Sequence, residues 1–232
     1  MSTDLQPVAF FDIDGTVFRS SLLIAIVEQM IAEEIFPPVV RDQYQPAYIA
    51  WQDREGTYDE YINAVVAAYL DAIKGVHYGQ LADVGRRVVS VQSRQVYRYT
   101  RDLIRNLKQE GYFLVAISQS PKTVLDPFCA EYGFDKVYGR LYEIGPQDRF
   151  TGVVTDEHLI ANKANIVHRV YDRNAVDPER SLAVGDTDGD ISLLESVTRQ
   201  ICFNPNQKLY TYAVRCGWEV VVERKDVIYQ IQ

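Results

Sequence analysis

The chain has 232 residues, 47% of them hydrophobic and 24% charged, and 24 basic against 32 acidic side chains leave a formal charge of −8 at pH 7. That length allows one large domain or a core with a smaller lobe, and the composition is that of a soluble globular protein. The lack of any basic block argues against duplex nucleic acid as the main partner, because neutralising phosphates needs clustered Lys and Arg; it leaves room for a small anionic substrate, since one metal ion and one lysine can set the local field.

Met1 to Pro7 is polar and lacks a basic segment followed by an apolar one, so no secretory signal is expected. Val8 to Phe11 is a short apolar run before a breaker and reads as a buried strand. It delivers Asp12 and Asp14 into a Gly15-Thr16 turn. Helical periodicity follows. Leu22, Leu23, Ile26, Val27, Met30 and Ile31 share a face until Pro37-Pro38 breaks the run. Glu28 and Gln29 interrupt that run, which is too short and polar to span a bilayer, so no membrane partner is expected. Val40, Tyr44, Tyr48 and Trp51 predict a second helix ending near Gly56. Tyr58, Ile62, Val65, Val66, Tyr69 and Ile73 predict a third, ended by Gly75, and Leu81, Val84, Val88 and Val91 a fourth. A simple crossover uses one helix, so residues 19–93 are expected to form an inserted helical lobe.

From Arg94 strands and helices alternate. Val96, Thr100, Leu103, Ile104 and Leu107 form a helix face stopped at Gly111. Phe113 to Ser118 reads as a buried strand and Pro121 to Tyr132 as a helix with Pro in its first turn. Val137 to Ile144 and Phe150 to Val154 predict a hairpin around Gly145-Pro146. Asp156 is the expected cap of a helix running to Tyr171. Ser181 to Val184 predicts a short strand, Ile191 to Val197 a helix, Ile201 to Phe203 a strand, Leu209 to Cys216 a helix and Trp218 to Val222 a strand. The alternation implies an α/β fold, a mostly parallel sheet with helices on both faces. Cys129, Cys202 and Cys216 match no zinc spacing and make no disulfide framework, so a reducing, cytoplasmic setting is expected.

Four signals fall at strand exits or helix starts: Asp12-Ile13-Asp14-Gly15-Thr16, Ser118-Gln119-Ser120-Pro121, Lys163, and Gly185-Asp186-Thr187-Asp188-Gly189-Asp190. Parallel strands exit at one edge, where open α/β folds bind ligands. Clustered carboxylates repel one another and lose hydration, so they call for a hard cation with oxygen ligands, Mg2+. Lys122 competes with Lys163 as the basic member, and Asp188 reads as a solvated loop acid or cap. His77, His158 and His168 show no ligand spacing. Tyr44, Tyr48, Trp51 and Tyr58 read as helix packing, with a cradle for a substrate cation as the alternative. Arg19, Arg54, Arg86 and Arg87 read as mostly solvated.

With these four motifs in order, a helical insertion after the first, and Lys163 23 residues before Asp186, the chain resembles the haloacid dehalogenase superfamily, most closely its phosphoserine-phosphatase-like branch. The resemblance implies a Rossmann-like core of residues 1–18 and 94–232 and a helical cap, residues 19–93, closing over the active edge. It implies Asp12 as nucleophile, forming an aspartyl-phosphate, and Asp14 as general acid and then base. It assigns Mg2+ to Asp12, Asp14 (through its backbone carbonyl), Asp186 and Asp190, and the phosphoryl group to Ser118, Gln119 and Lys163. Two unit charges 4 Å apart interact by about 4 kcal/mol at an effective dielectric near 20, so an anionic nucleophile meeting a phosphate dianion needs both cation and lysine. The expected function is Mg2+-dependent hydrolysis of a small phosphorylated metabolite. A phosphotransferase or mutase shares the paired aspartates, and a phospho-ligand sensor would share the fold; Asp14 argues against a carbon–halogen substrate. Ser20 and Ser21 stand where phosphoserine phosphatases carry a glutamate, and Gly15 replaces a serine common there, which argues against phosphoserine.

Overall fold

The computed structural model describes residues 5–155 and 162–231. In chain order it runs β1 (Gln6–Asp12), α1 (Leu22–Ala32), α2 (Val39–Gln52), α3 (Tyr58–Ala72), α4 (Tyr78–Gln92), α5 (Arg98–Gln109), β2 (Phe113–Pro121), α6 (Lys122–Glu131), β3 (Lys136–Ile144), β4 (Phe150–Thr155), α7 (Lys163–Arg173), β5 (Val176–Gly185), α8 (Ile191–Leu194), β6 (Arg199–Phe203), α9 (Gln207–Cys216), β7 (Glu219–Arg224) and β8 (Val227–Ile231). The sheet order is β4-β3-β2-β1-β5-β6-β7-β8. The six inner strands are parallel, and β4 and β8 close the two edges antiparallel.

Alternation along β1 divides the interior in two. Ala9 and Phe11 face a core shared with α1 to α6, while Val8 and Phe10 face one built with α7, α8 and α9. This is the expected Rossmann-like sheet with helices on both faces. Asp12 pairs in register with Ile117, and Phe11 with Val184. The exits of β1, β2 and β5 therefore lie side by side at one edge.

All four helices expected between residues 19 and 93 form. Ser21 caps α1, its hydroxyl accepting from Leu23 N at 3.2 Å, and Thr57 with Glu60 makes a reciprocal cap at α3. The chain leaves and returns at adjacent points: Arg19 N donates to Gln95 O (2.8 Å) and Tyr97 N to Val17 O (3.1 Å). The far side of this block is tied to the β3–β4 hairpin by Gly75 N to Phe150 O (2.8 Å) and Phe150 N to Val76 O (2.9 Å).

Several boundaries differ from the sequence reading. β5 begins at Val176, because Pro178 to Arg180 bulge out between Asp177 and Ser181 while β1 advances one residue; that polar insertion hides the strand's first half. The helix expected over 191–197 is one turn, α8, preceded by a 3-10 turn at Asp188–Asp190. β8 was not expected; its residues, all exposed but Ile228, form an edge hairpin with β7. The cap expected at Asp156 lies outside the described residues, and Asn162 caps α7, accepting from Ala164 N at 3.1 Å. Among the described residues, no helix is long and apolar enough to cross a membrane.

Candidate active site

β1 ends on Asp12, which is 6% exposed. Its Oδ1 accepts from Lys163 Nζ at 2.6 Å. Its Oδ2 is buried and has no hydrogen-bond partner among the described residues. Lys163, at the start of α7, also donates to Asp190 Oδ1. Lys122, its rival in sequence, is turned away and paired with Asp126. Asp190 Oδ2 accepts from the backbone N–H groups of Asp186 and Thr187, both at 3.1 Å, so the loop after β5 wraps around that carboxylate. Asp186 Oδ1 accepts from Thr16 Oγ1 at 3.1 Å. Asp188 is drawn toward α9 by Asn206 Nδ2 (2.8 Å) and Lys208 Nζ (3.2 Å), as its solvated reading expected.

Carboxylate oxygens of Asp12, Asp186 and Asp190 lie within 4.8 Å of one another. Burial pushes the Asp12 carboxyl up to about 7; Lys163 pulls it down, and Asp190 and Asp14 push it further up. Asp186 is raised well above the ordinary range by desolvation and then by Asp12 and Asp190. Burial opposes the charge on Lys163, but the two carboxylates outweigh it and raise its pKa. Three clustered acids thus share one ammonium. The bare Oδ2 of Asp12 and a donor set made only of oxygen fit a hard cation such as Mg2+.

Asp14 has a different environment. Its Oδ1 accepts from Leu22 N, at the start of α1, at 2.6 Å. Its Oδ2 accepts from the hydroxyls of Ser118 and, at 2.8 Å, Ser120. Ser120 Oγ in turn accepts from Leu23 N at 3.0 Å. The carboxylate is therefore held between the exit of β2 and the first turn of α1, outside the close cluster of Asp12, Asp186 and Asp190 yet near enough to act on Asp12. Ser118 is fully buried and engaged with Asp14, whereas Gln119 reaches the cavity above the acids and accepts from Arg140 Nη2 at 2.8 Å. That cavity, about 370 Å3, is lined by Asp12, Asp14, Asp186, Lys163, Gln119 and Tyr58 among others.

Sequence reasoning included Ser120 and Thr16 in its motifs but gave neither side chain a role. The signal for Ser120 was its spacing of two from Ser118, which in a strand puts both hydroxyls on one face. His77 caps α4, its Nδ1 accepting from Gly79 N at 3.0 Å, while His158 lies outside the described residues. Arg86 and Arg87 are exposed and paired with Asp83 and Glu33.

Two glycines let the loops approach. A Cβ on Gly185 would stand 2.5 Å from that of Asp190. Gly15 has φ +84°, and a Cβ there would lie 2.2 Å from Asp186 Oδ2. Gly15→Ala is expected to displace the Asp186 carboxylate and to cost about 1–2 kcal/mol of stability from the left-handed backbone alone. Urea unfolding beside Mg2+ titration checks this: the variant loses both stability and ion affinity, and an unchanged midpoint with unchanged affinity would contradict the close approach.

The family model described as haloacid dehalogenase-like hydrolase matches residues 9–195. Over 218 residues the chain is 26% identical to the inhibition of morphological differentiation protein of Streptomyces azureus, covering 93% of this chain and 78% of that one. It is 24% identical over 221 residues to the phosphoserine phosphatase SerB1 of Mycobacterium tuberculosis, covering 94% of this chain and 71% of that one. It is similar in fold to a solved phospho-aspartyl intermediate analogue of phosphoserine phosphatase, with a TM-score of 0.63, 17% identity and 96% of each chain covered.

Proposed function

The chain belongs to the haloacid dehalogenase-like hydrolase family, as a phosphatase-like hydrolase, and from that premise we propose that it is a Mg2+-dependent phosphomonoester hydrolase acting on a small phosphorylated metabolite. One observation carries the proposal: Asp12 is fixed through Oδ1 by Lys163, while its buried Oδ2 has no hydrogen-bond partner among the described residues. A carboxylate so held is oriented and still has a lone pair to give.

In this reading an Asp12 oxygen attacks phosphorus, the ester P–O bond breaks, and the leaving oxygen takes a proton from Asp14. Asp14, now ionised, takes a proton from the water that attacks the aspartyl-phosphate, which restores Asp12 and frees phosphate. Lys163 and Gln119 serve the phosphoryl oxygens, while Ser118, expected from the sequence to join them, is buried with its hydroxyl on Asp14 and holds that acid in place. Asp12, Asp186 and the backbone carbonyl of Asp14 would hold Mg2+, and Asp190 would orient that set through the Asp186 amide and Lys163. Bound there, the ion offsets the repulsion between the nucleophile and the phosphoryl oxygens.

The same reading divides the chain into a Rossmann-like core, residues 1–18 and 94–232, and a helical cap, residues 19–93, that shields the first step from water. The adjacent crossing points at 17–19 and 95–97 support that division. A reducing cytoplasm suits its free Cys129, Cys202 and Cys216.

The test is hydrolysis of para-nitrophenyl phosphate and a panel of phosphorylated metabolites with Mg2+ or with EDTA. Turnover that requires the ion is expected. Absence of turnover across the panel, or turnover indifferent to EDTA, sinks the proposal.

A further inference from the structure

A second cavity, about 540 Å3, opens beside the acids and belongs to none of the roles above. One wall is Ile24 and Glu28 of α1; the other is the aromatic series of α2 and α3. Tyr58 lines both this groove and the acid cavity, and Ser20, at the groove's near end, precedes Ser21 of the acid cavity. The two spaces are neighbours sharing a wall.

Packing accounts for only part of the aromatic series. Tyr44 and Tyr61 are buried, at 3% and 5% exposure, and Trp51 stacks on Tyr61 with ring centres 5.6 Å apart and planes 13° apart. Tyr48 and Tyr58 pack against Tyr61 and Trp51 (5.2 and 5.4 Å), yet remain 41% and 36% exposed. Their rings leave surface open to the groove.

The charged side chains lining the groove are Glu28 and Arg41, which neutralise each other, with Tyr44 OH also donating to Glu28 Oε1 at 2.6 Å. At 1.5 Å per helical residue, Glu28 lies about 11 Å along α1 from Ser20 and Ser21. An amino-acid leaving group would need both its amine and its carboxylate met within a few bonds of phosphorus; Asp59, on the acid cavity's wall, could meet the amine, but among the described residues lining either cavity the cations, Lys163 and Arg41, are already paired, leaving none for the carboxylate. A quaternary ammonium would find aromatic faces but no surplus negative charge, and a guanidinium on the same wall. A flat, neutral heterocycle suits both features: exposed phenol rings to stack on, and a polar edge at the far end. Arg41 gives Glu28 only Nε and one Nη, leaving N–H donors free of that pair, and Gln45 and Gln52 add amides.

Resting on the phosphatase reading, we infer that this groove receives the leaving group of the substrate, and that the leaving group carries a nucleobase-type ring, so that the natural substrate is a nucleoside monophosphate. Its phosphate sits over Asp12, the sugar passes Tyr58, and the base lies against Tyr48 with its edge toward Glu28 and Arg41.

The test compares adenosine 5′-monophosphate with ribose 5-phosphate, the same ester without the base, and adds phosphocholine and O-phosphoserine. Binding to Asp12→Asn protein in Mg2+ is read by calorimetry, and kcat/KM is read on the wild type. The nucleotide is expected to lead ribose 5-phosphate by roughly five- to a hundredfold in Kd and kcat/KM, the range of one base stacked on an aromatic ring. In Tyr48→Ala and Arg41→Gln, both at exposed positions, the ratio falls toward one. A nucleotide no better than ribose 5-phosphate, a preference for phosphocholine or phosphoserine, or a ratio that survives both variants overturns the inference. Nucleotide binding without turnover keeps the groove and removes the phosphatase reading; turnover without discrimination does the reverse.

Discussion

Asp12→Asn is expected to lower phosphomonoester turnover by on the order of 10^4 or more while leaving the protein folded. The size follows from removing a nucleophile, for which an amide is no substitute. The stability half follows from the surroundings. Asp12 is buried beside Asp14, Asp186 and Asp190, and among the described residues Lys163 alone pairs with it. Deleting one charge removes repulsion, and Lys163 keeps Asp190 as a partner. In EDTA at pH 8 the variant is therefore expected to melt no lower than the wild type, which is the behaviour of a site where function is bought with stability. Trapping with hydroxylamine supplies a second readout: wild type turning over substrate yields a modified Asp12, and the variant yields none. Native-rate hydrolysis by the variant would move the nucleophile elsewhere.

Stability of the ion-free protein is expected to fall as pH rises from 4 to 8, and Mg2+ is expected to reverse the trend. The carboxyl of Asp12 is raised from 3.8 to about 7. Between those values the folded state holds a proton that the unfolded chain releases, so unfolding free energy drops with rising pH. Below 3.8 the penalty is absent, and above about 7 it is complete. Its size is on the order of a few kcal/mol for a shift of this magnitude, and Asp186 is shifted in the same direction. A divalent ion binds the deprotonated cluster, so its stabilisation should be larger at pH 8 than at pH 5.5. Melting curves at both pH values, with EDTA and with Mg2+, give the comparison. Equal ion effects at the two pH values would show that the ion does not bind at the Asp12 and Asp186 carboxylates.

Much of this site was legible before folding because strand direction does most of the assembly. An apolar run ending in Asp12, another ending at Ser118 and a third ending at Gly185-Asp186 place their last residues at one edge once the strands are parallel. Lys163 was legible through its spacing of 23 residues to Asp186 in the family resemblance, although the sequence put the helix start at Asp156 and the structure puts it at Lys163 itself. Less legible was how the two aspartates of the first motif part company. They stand two residues apart, yet Asp12 turns to Lys163 and Asp14 to Ser118, Ser120 and the first amide of α1. That separation depends on where the helical block docks, which local pattern does not encode. The groove has the same origin. Tyr44, Tyr48 and Trp51 read as a helix face, and only the meeting of α1, α2 and α3 decides which rings are buried and which remain open. Irregular strands were the other blind spot: the bulge at 178–180 interrupts the apolar run of β5, and β8 has too little burial to leave a pattern.

The paired crossings at residues 17–19 and 95–97 carry a consequence for how such a protein changes over time. In the proposed division, residues 20–94 leave and rejoin the sheet side through one doorway two strands wide, and lean on the β3–β4 hairpin through Gly75, Val76 and Phe150 and through side-chain packing. Whole helices can be lengthened, lost or exchanged beyond it without altering the register of any strand, since the ends to be joined stay neighbours. The reactive acids on the sheet side and the groove's walls on the far side are thereby free to drift at different rates, and a new appetite requires new furniture in one room only.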